Sequence, residues 1–190
     1  MRERIRPGYF ERLYAQDADP WSFASSPYEA AKYDATIAAL DSRRFGSALE
    51  LGASIGVLSA RLAPLCDALL AIDVAEPALE RARERLAGAA NVRFERREIP
   101  EEFPAGPFEL IVASEVLYYL DEPAFAATLD AVDRELAAGG VLLAVHWRPA
   151  TETYPLRGDE VHAALAERFG PAAVSRRTDE YALDRFDRPA

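Results

Sequence analysis

The hydrophobic residues of this chain lie in short runs rich in apolar side chains and in longer stretches with helical spacing. Five runs are typical of strands in a sheet, at residues 48–51, 69–72, 92–95, 110–113 and 141–145. Apolar residues spaced as on one helix face lie between them, and predict helices at 55–62, at 77–86 and from Asp121 to a cap at Gly139-Gly140. Short strands that alternate with helices predict an α/β protein whose parallel sheet has helices on both faces.

Residues 1–45 come before the first predicted strand and are rich in aromatic side chains. Phe10 and Tyr14 have helical spacing, and Ser26-Pro27 is typical of a helix start, so two helices are expected here. The segment either packs against the sheet or forms a lid over a ligand. In the lid interpretation, the side chains that face the ligand are Trp21, Tyr28, Lys32 and Tyr33.

The pattern changes after His146, where the last of the five runs ends. A polar loop at residues 151–159 is followed by a predicted helix at 160–169, which ends at Gly170-Pro171. Residues 172–175 and 181–186 predict two closing strands. We therefore expect seven strands.

Composition narrows the class of protein. The length of 190 residues favours one domain, and a hydrophobic fraction of 50% is typical of a packed core. No apolar run is long enough to span a membrane, and the charged N-terminus does not resemble a secretory signal, so a cytoplasmic protein is expected. Cys66 is the lone cysteine, so no disulfide within the chain is expected. A net charge of −10 argues against nucleic acid as a partner, because phosphate backbones are gripped by Lys and Arg.

The stretch after the first strand carries the candidate chemistry. Glu50-Leu51-Gly52-Ala53-Ser54-Ile55-Gly56 reads as a strand end, a turn of small residues and a helix start, and Asp73 ends the second strand. Strand, glycine turn, helix, strand and terminal acid together outline a nucleoside-binding unit.

Two cofactor classes use such a turn. A dinucleotide favours Gly-x-Gly-x-x-Gly for its pyrophosphate, whereas this turn has only Gly52 and Gly56, and Glu50 would repel a pyrophosphate. S-adenosylmethionine has no phosphate and carries a sulfonium and an ammonium, which suit Glu50, and a ribose diol, which suits the two acceptor oxygens of Asp73. The acids therefore favour S-adenosylmethionine, with S-adenosylhomocysteine as the product.

These residues resemble class I S-adenosylmethionine-dependent methyltransferases. Residues 50–56 are similar to their Glu/Asp-x-Gly-x-Gly-x-Gly motif, with Ser54 in place of the middle glycine, and residues 108–117 are similar to their fourth strand and the loop after it. Serine fits a turn that needs no positive φ, so this departure is expected to be small. A narrower resemblance is to the nodulation-factor N-methyltransferase (NodS-like) group, through Asp19-Pro20-Trp21, Tyr28-Glu29 with Lys32-Tyr33, and residues 114–120.

The resemblance implies a single Rossmann-like class I methyltransferase domain with a mostly parallel seven-stranded sheet. It divides the chain into an N-terminal helical lid (1–45), a cofactor-binding core (46–147) and a C-terminal substrate region (148–190). By position, the methionine end is expected at Glu50, Gly52, Ala53, Ser54 and Gly56. The ribose is expected at Asp73, and the adenine at Val74, Glu98 and Ile99. The sulfonium is expected above Ser114 and Glu115. Trp21 and Lys32 are expected to close over the carboxylate of the cofactor's amino-acid end.

The catalytic candidates lie where the fourth and fifth strands end. Because the cofactor carries an activated methyl group, the protein mainly aligns the acceptor, and a base is needed only where a proton must be removed. His146 suits a base, since its ordinary pKa is about 6.5, and Glu115 and Tyr118 could orient an amine or a hydroxyl. His146, His162 and Asp159 are too few and too scattered to predict a metal site.

Three functions remain open at this point. The first is a methyltransferase that acts on an amine or hydroxyl of a small molecule such as a saccharide or other metabolite. The second is a dinucleotide-binding oxidoreductase, and the third is a non-catalytic S-adenosylmethionine-binding protein. A small-molecule acceptor is the expected partner, with neither nucleic acid nor membrane, and the residues do not indicate an oligomeric state.

Overall fold

A computed structural model describes residues 2–190. Within them the chain forms seven β-strands and six α-helices, with two short 3-10 turns. The contacts divide the chain into two units, one of residues 6–98 and one of residues 2–5 with 99–190. Across residues 2–190, no helix is both long and apolar enough to cross a membrane.

The unit of residues 6–98 is a three-stranded parallel sheet with four helices. Strand β2 lies between β1 and β3, and Ala48 aligns with Leu69 while Leu69 aligns with Val92. The elements are α1 (Pro7–Gln16), α2 (Pro27–Ala38), β1 (Phe45–Leu51), α3 (Val57–Leu62), β2 (Cys66–Asp73), α4 (Glu76–Arg85) and β3 (Val92–Arg96).

Local chemistry accounts for the start of α2 and for the packing of α4. The hydroxyl of Ser26 accepts the backbone N–H of Glu29, and Pro27 stands at the first helical position, which needs no N–H partner. In α4, one stripe is fully buried because Ala78, Leu79 and Ala82 recur at helical spacing. Small side chains along this stripe permit close packing of α4.

The unit of residues 2–5 and 99–190 contains the mixed part of the sheet. Strands β4 and β5 pair in parallel, and β7 pairs antiparallel with both β5 and β6. The elements are β4 (Phe108–Ser114), α5 (Glu122–Glu135), β5 (Leu136–Trp147), α6 (Gly158–Phe169), β6 (Val174–Arg177) and β7 (Tyr181–Asp187). The prediction of an α/β fold with seven mostly parallel strands is confirmed.

The predicted boundary between α5 and β5 is wrong. Helix α5 ends at Glu135 rather than at the glycine pair, and β5 begins at Leu136, whose backbone is extended. Leu136 pairs with Phe108 of β4, and the carboxylate of Glu135 accepts the N–H of Gly106 at 2.6 Å. Long-range pairing therefore ends the helix early, and Gly139 supplies a positive φ within the strand rather than a helix cap.

Candidate functional site

The turn after β1 is held against the end of β2. The N–H groups of Gly52 and Ala53 both donate to the carbonyl oxygen of Ile72 at 2.9 Å. Gly52 has a φ of 78°, and Ser54 has a φ of 50°. The expectation that Ser54 stands in a turn without positive φ is therefore wrong. The serine has a left-handed backbone conformation, which glycine adopts more readily than residues with a side chain.

Asp73 stabilises this turn through both carboxylate oxygens. Oδ2 accepts the N–H of Ser54 at 2.8 Å, and Oδ1 accepts the N–H of Ala75 at 2.9 Å. Burial raises the pKa of Asp73, although these backbone hydrogen bonds oppose the rise. A carboxylate oxygen can accept more than one hydrogen bond, so Asp73 retains acceptor capacity for a diol.

Glu50 is a buried acid at the exit of β1. Its side chain is 1% exposed, and the hydroxyl of Ser59 donates to Oε2 at 2.5 Å. Burial raises the pKa of Glu50 to about 8. The hydrogen bond from Ser59 opposes this rise, and the charge of Asp73 adds to it. A cation brought beside Glu50 would favour its ionised form, so the site is suited to an ammonium or sulfonium.

Gly56 has a packing role. Its φ is 77°, and a Cβ there would lie 2.9 Å from Cβ of Ala82 and 3.2 Å from Cδ1 of Leu86. The glycine therefore permits α3 to begin directly against α4. A role of Gly56 at the methionine end stays a prediction.

The N-terminal helices supply a contact that the sequence analysis missed. The hydroxyl of Tyr14, which is 3% exposed, hydrogen-bonds the hydroxyl of Ser54. The Trp21 ring lies edge-on to Tyr14 at 5.6 Å and stacks on Phe23. Tyr14 was interpreted only as a helix-face residue, because nothing in its spacing distinguishes a core tyrosine from one bonded to the turn.

Lys32 is buried and ion-paired. Its Nζ lies 2.9 Å from Oε2 of Glu29, one turn earlier on α2, and both side chains are less than one tenth exposed. The same ammonium lies 5.2 Å from the centre of the Tyr28 ring. Lys32 therefore has a fixed position, and its role in closing over a carboxylate stays a prediction.

The residues expected near the adenine lie after β2 and β3. The carbonyl of Val74 accepts Nε of Arg96 at 3.1 Å, and Ile99 is 7% exposed. Glu98 ends the unit of residues 6–98, and Ile99 begins the other. Their contacts with an adenine stay predictions.

In the second unit, the segment after β4 is strained and anchored. Ser114 is buried, and Glu115 has a φ of 54°, which is uncommon for a residue with a side chain. The N–H of Glu115 donates to the carbonyl of Val145 at 2.8 Å, and its carboxylate accepts the N–H of Trp147 at 2.9 Å. The hydroxyl of Tyr118 also donates to this carboxylate.

Tyr118 lies inside an aromatic cluster. Its ring stacks on Tyr154 at 4.8 Å and lies edge-on to Tyr119 at 4.6 Å and to His146 at 5.3 Å. Burial raises the pKa of Tyr118 well above its usual value, and the charge of Glu115 raises it further. The phenol therefore stays protonated and acts as a donor at neutral pH.

His146 is fully buried, with both ring nitrogens in internal hydrogen bonds. Nε2 lies 3.3 Å from the backbone nitrogen of Leu117, and Nδ1 lies 3.2 Å from Nε2 of His162. A general base needs a lone pair that reaches the substrate proton. This geometry does not favour His146 as a base, because its lone pair already accepts the Leu117 N–H.

Asp184 was not among the candidates, although it completes this cluster. Its Oδ2 lies 2.6 Å from Nδ1 of His162. Asp159, which was too scattered from the histidines to predict a metal site with them, pairs with Arg148 at 2.7 Å. Within residues 2–190, no group of three or more His, Cys, Asp or Glu side chains is arranged to hold a metal ion.

Comparison with solved structures defines the class of fold. The chain is similar to the N-methyltransferase NodS from Bradyrhizobium japonicum WM9 in complex with S-adenosylhomocysteine, with a TM-score of 0.84, 28% identity, and coverage of 96% of this chain and 98% of that chain. It is also similar to a putative methyltransferase from Pseudomonas syringae, with a TM-score of 0.76 and 39% identity. This match covers 85% of this chain and 99% of that chain. The fold is thus that of the Rossmann-like class I methyltransferases, as predicted.

The family follows from the sequence. The family model for Nodulation protein S (NodS) matches residues 10–148, so the chain belongs to the NodS family. Nodulation protein S from Bradyrhizobium diazoefficiens is 39% identical over 113 residues, which are 58% of this chain and 53% of that protein. The corresponding protein from Rhizobium tropici is 32% identical over 127 residues, 66% of this chain and 53% of that protein. The chain thus spans about half the length of the curated relatives that it matches.

Proposed function

We propose that this chain is an S-adenosylmethionine-dependent methyltransferase that methylates an amine nitrogen of a small molecule. Membership of the NodS family supports this activity, and so does the likeness to an N-methyltransferase solved with S-adenosylhomocysteine. When bound, S-adenosylmethionine would supply a methyl group on a positively charged sulfur. The protein then has to bind the cofactor and the acceptor, orient them, and exclude water.

One observation carries the cofactor assignment. Two acids, Glu50 and Asp73, flank a turn whose Gly52 and Ser54 have positive φ. A phosphate would be repelled by these acids in their ionised form, whereas a cationic amino-acid group suits Glu50 and a ribose diol suits Asp73. Trp21 and Lys32 belong to the N-terminal segment that would cover the amino-acid end.

The state of the histidines favours an amine over a hydroxyl acceptor. An amine needs only to arrive unprotonated, whereas a sugar hydroxyl is weakly acidic and requires a base. The chain has two histidines, His146 and His162, and both are at most 2% exposed and hydrogen-bonded to one another. Neither presents a free lone pair to a hydroxyl.

Glu115 and Tyr118 form the proposed acceptor side of the site. The Glu115 carboxylate is fixed by the hydroxyl of Tyr118 and by the backbone of Trp147, and the ring of Tyr118 stacks on that of Tyr154. Carboxylates and aromatic faces both attract ammonium groups. We infer that Glu115 orients an amine of a small molecule with its lone pair toward the methyl group.

A radiolabelled transfer assay tests the proposal. The purified chain would be incubated with methyl-labelled S-adenosylmethionine and two matched acceptor panels, amino sugars and simple amines in one and the corresponding alcohols in the other. We expect label in the amine panel alone. Label confined to the alcohols would contradict the nitrogen assignment, and S-adenosylhomocysteine binding without transfer to either panel would favour a non-catalytic binding protein.

Cytoplasmic location also belongs to this proposal. It is supported by the single cysteine, Cys66, which is buried and has no second thiol in this sequence to pair with. Fractionation of the source cells with an antibody to this chain would test it.

A further inference from the structure

A buried chain of hydrogen bonds runs from β7 to the backbone that follows β4. Oδ2 of Asp184 lies 2.6 Å from Nδ1 of His162, and Nε2 of His162 lies 3.2 Å from Nδ1 of His146. Nε2 of His146 lies 3.3 Å from the backbone nitrogen of Leu117. All four residues are at most 2% exposed. We call these three side chains, Asp184, His162 and His146, the buried relay.

The first end of the buried relay is an ionised carboxylate. Burial raises the pKa of Asp184, but hydrogen bonds from His162, Arg177 and Ser175 together hold it well below its usual range. Nη1 and Nη2 of Arg177 lie 2.8 and 2.7 Å from the two carboxylate oxygens. An ionised carboxylate only accepts, so Nδ1 of His162 must carry a hydrogen.

This assignment fixes every other proton. In a neutral imidazole one nitrogen donates and the other accepts. At the other end, the backbone N–H of Leu117 can only donate, so Nε2 of His146 accepts and carries no hydrogen. Nδ1 of His146 then carries the hydrogen and donates to Nε2 of His162. The hydrogen bonds thus all point one way, from the Leu117 amide to Asp184.

The far end of the buried relay lies among the residues proposed to bind the acceptor. Leu117 begins the 3-10 turn Leu117–Tyr119, and Glu115 stands two residues before it with a positive φ. The residue after His146, Trp147, donates its N–H to the Glu115 carboxylate. The ring of His146 also lies 5.3 Å from that of Tyr118.

Gly158 explains how α6 brings the second histidine into place. A Cβ at Gly158 would lie 2.1 Å from the carbonyl oxygen of Trp147 and 3.4 Å from Cβ of His146. His162 follows Gly158 by four residues, so both lie on the same helix face. The glycine therefore permits the close approach that joins the two imidazoles.

We propose that Asp184, His162 and His146 are positioning residues, which hold residues 115–118 in the geometry that orients the methyl acceptor. This inference rests on the proposed methyltransferase function and deepens it. The buried relay exchanges no proton with the substrate. It fixes the tautomer of His146 so that a lone pair meets the Leu117 amide, and Leu117 in turn fixes Glu115 and Tyr118.

Two substitutions of one residue separate this role from general-base catalysis. The side-chain oxygen of Gln can accept the Leu117 N–H, as Nε2 of His146 does, whereas Leu cannot. We expect His146→Leu to lower kcat/KM for the acceptor by about tenfold to a hundredfold, because a small misplacement of an orienting group is costly. His146→Gln should recover to within about threefold of the unsubstituted chain, since it restores the lost acceptor.

The outcomes decide between the roles. Equal losses in His146→Leu and His146→Gln would favour a base and overturn the positioning role. A His146→Leu variant with no loss would also overturn it. Calorimetry with S-adenosylhomocysteine accompanies the kinetics, and the dissociation constant should stay within about twofold in both variants if they fold normally. A parallel loss of cofactor binding in His146→Leu would mark general damage and overturn the proposal.

A second measurement is independent of activity. In the protein with nitrogen-15-labelled histidine, both imidazoles should be neutral with the hydrogen on Nδ1. The Leu117 amide should exchange slowly in the unsubstituted chain and in His146→Gln, and at least about tenfold faster in His146→Leu. A hydrogen on Nε2 of His146, or unchanged exchange at Leu117, would overturn the positioning role. An unsubstituted chain that methylates nothing would instead overturn the proposed function, so the two failures are distinguishable.

Discussion

The hydroxyl of Tyr14 on α1 hydrogen-bonds the hydroxyl of Ser54 in the turn after β1. Ser54 also donates its backbone N–H to Asp73 at 2.8 Å, so the tyrosine, the turn and the acid at the end of β2 form one connected group. Nε of Arg96 binds the carbonyl of Val74, and Nη1 of Arg81 binds the carbonyl of Tyr14 at 3.0 Å. The end of α1 is therefore fixed to the elements that carry the candidate cofactor site.

This relationship predicts the effect of Tyr14→Phe. Loss of one hydrogen bond to a half-buried hydroxyl should weaken S-adenosylhomocysteine binding by about threefold to tenfold, with about 1 kcal/mol or less of lost stability. Calorimetric titration measures the first effect and thermal unfolding the second. Tyr9→Phe is the matched control, since Tyr9 lies on the same helix and is 46% exposed. Equal affinities in both variants would show that Tyr14 only packs.

The buried acid predicts a pH-dependent gain in stability for Glu50→Gln. The folded carboxyl has a pKa of about 8 against an ordinary 4.5, so with rising pH the unfolded state loses its proton first. The stability of the unsubstituted chain therefore falls between those values and is level above them. Glu50→Gln removes this loss, and we expect it to be roughly 2–4 kcal/mol more stable at pH 8.5, with a small difference at pH 4.5.

Denaturant unfolding at a series of pH values measures this dependence. Glu84→Gln, at an exposed position of α4, is the control and should follow the unsubstituted chain. The same Glu50→Gln variant should bind S-adenosylhomocysteine more weakly, because it lacks the charge that pairs with the ammonium. A stability gain that is constant with pH would contradict the raised pKa.

The glycine at the start of α6 predicts a packing defect in Gly158→Ala. The added methyl group would overlap the carbonyl oxygen of Trp147 at 2.1 Å, so α6 must shift away from β5. We expect the free energy of unfolding to fall by about 1–3 kcal/mol. Gly88→Ala is the control, because a Cβ there meets nothing within 4 Å, and it should change stability by less than about 1 kcal/mol. Similar losses in both variants would argue against the close approach of α6.

The parts of the fold that the sequence predicted are those in which local pattern and burial agree. The run around Leu110 predicts a strand because β4 is buried along nearly all of its length. The boundary between α5 and β5 was missed because pairing between Leu136 and Phe108 decides it, and that contact lies outside any local window. The strand β6 begins at Val174, two residues later than predicted, because its register is fixed by β7.

In the candidate site, too, local sequence predicts some residues, and long-range contacts bring the others together. Glu50 and Asp73 could be found from the sequence because motif spacing places each at the end of a strand. The buried relay could not, because His146, His162 and Asp184 lie on three elements that only the antiparallel pairing of β7 and the docking of α6 bring together. The positive φ of Ser54 was also missed, since a serine gives no sign of it in sequence.

The most direct test of the cofactor assignment is the affinity of Asp73→Ala for S-adenosylhomocysteine. Asp67→Ala is the matched control, because Asp67 lies near the other end of β2 and is paired at the surface with Arg44. Thermal unfolding of both variants without ligand would separate damage to the turn from loss of a ligand contact. Calorimetric titration should give a dissociation constant at least about tenfold weaker for Asp73→Ala and unchanged for Asp67→Ala. Equal affinity of the two variants and the unsubstituted chain would contradict the account.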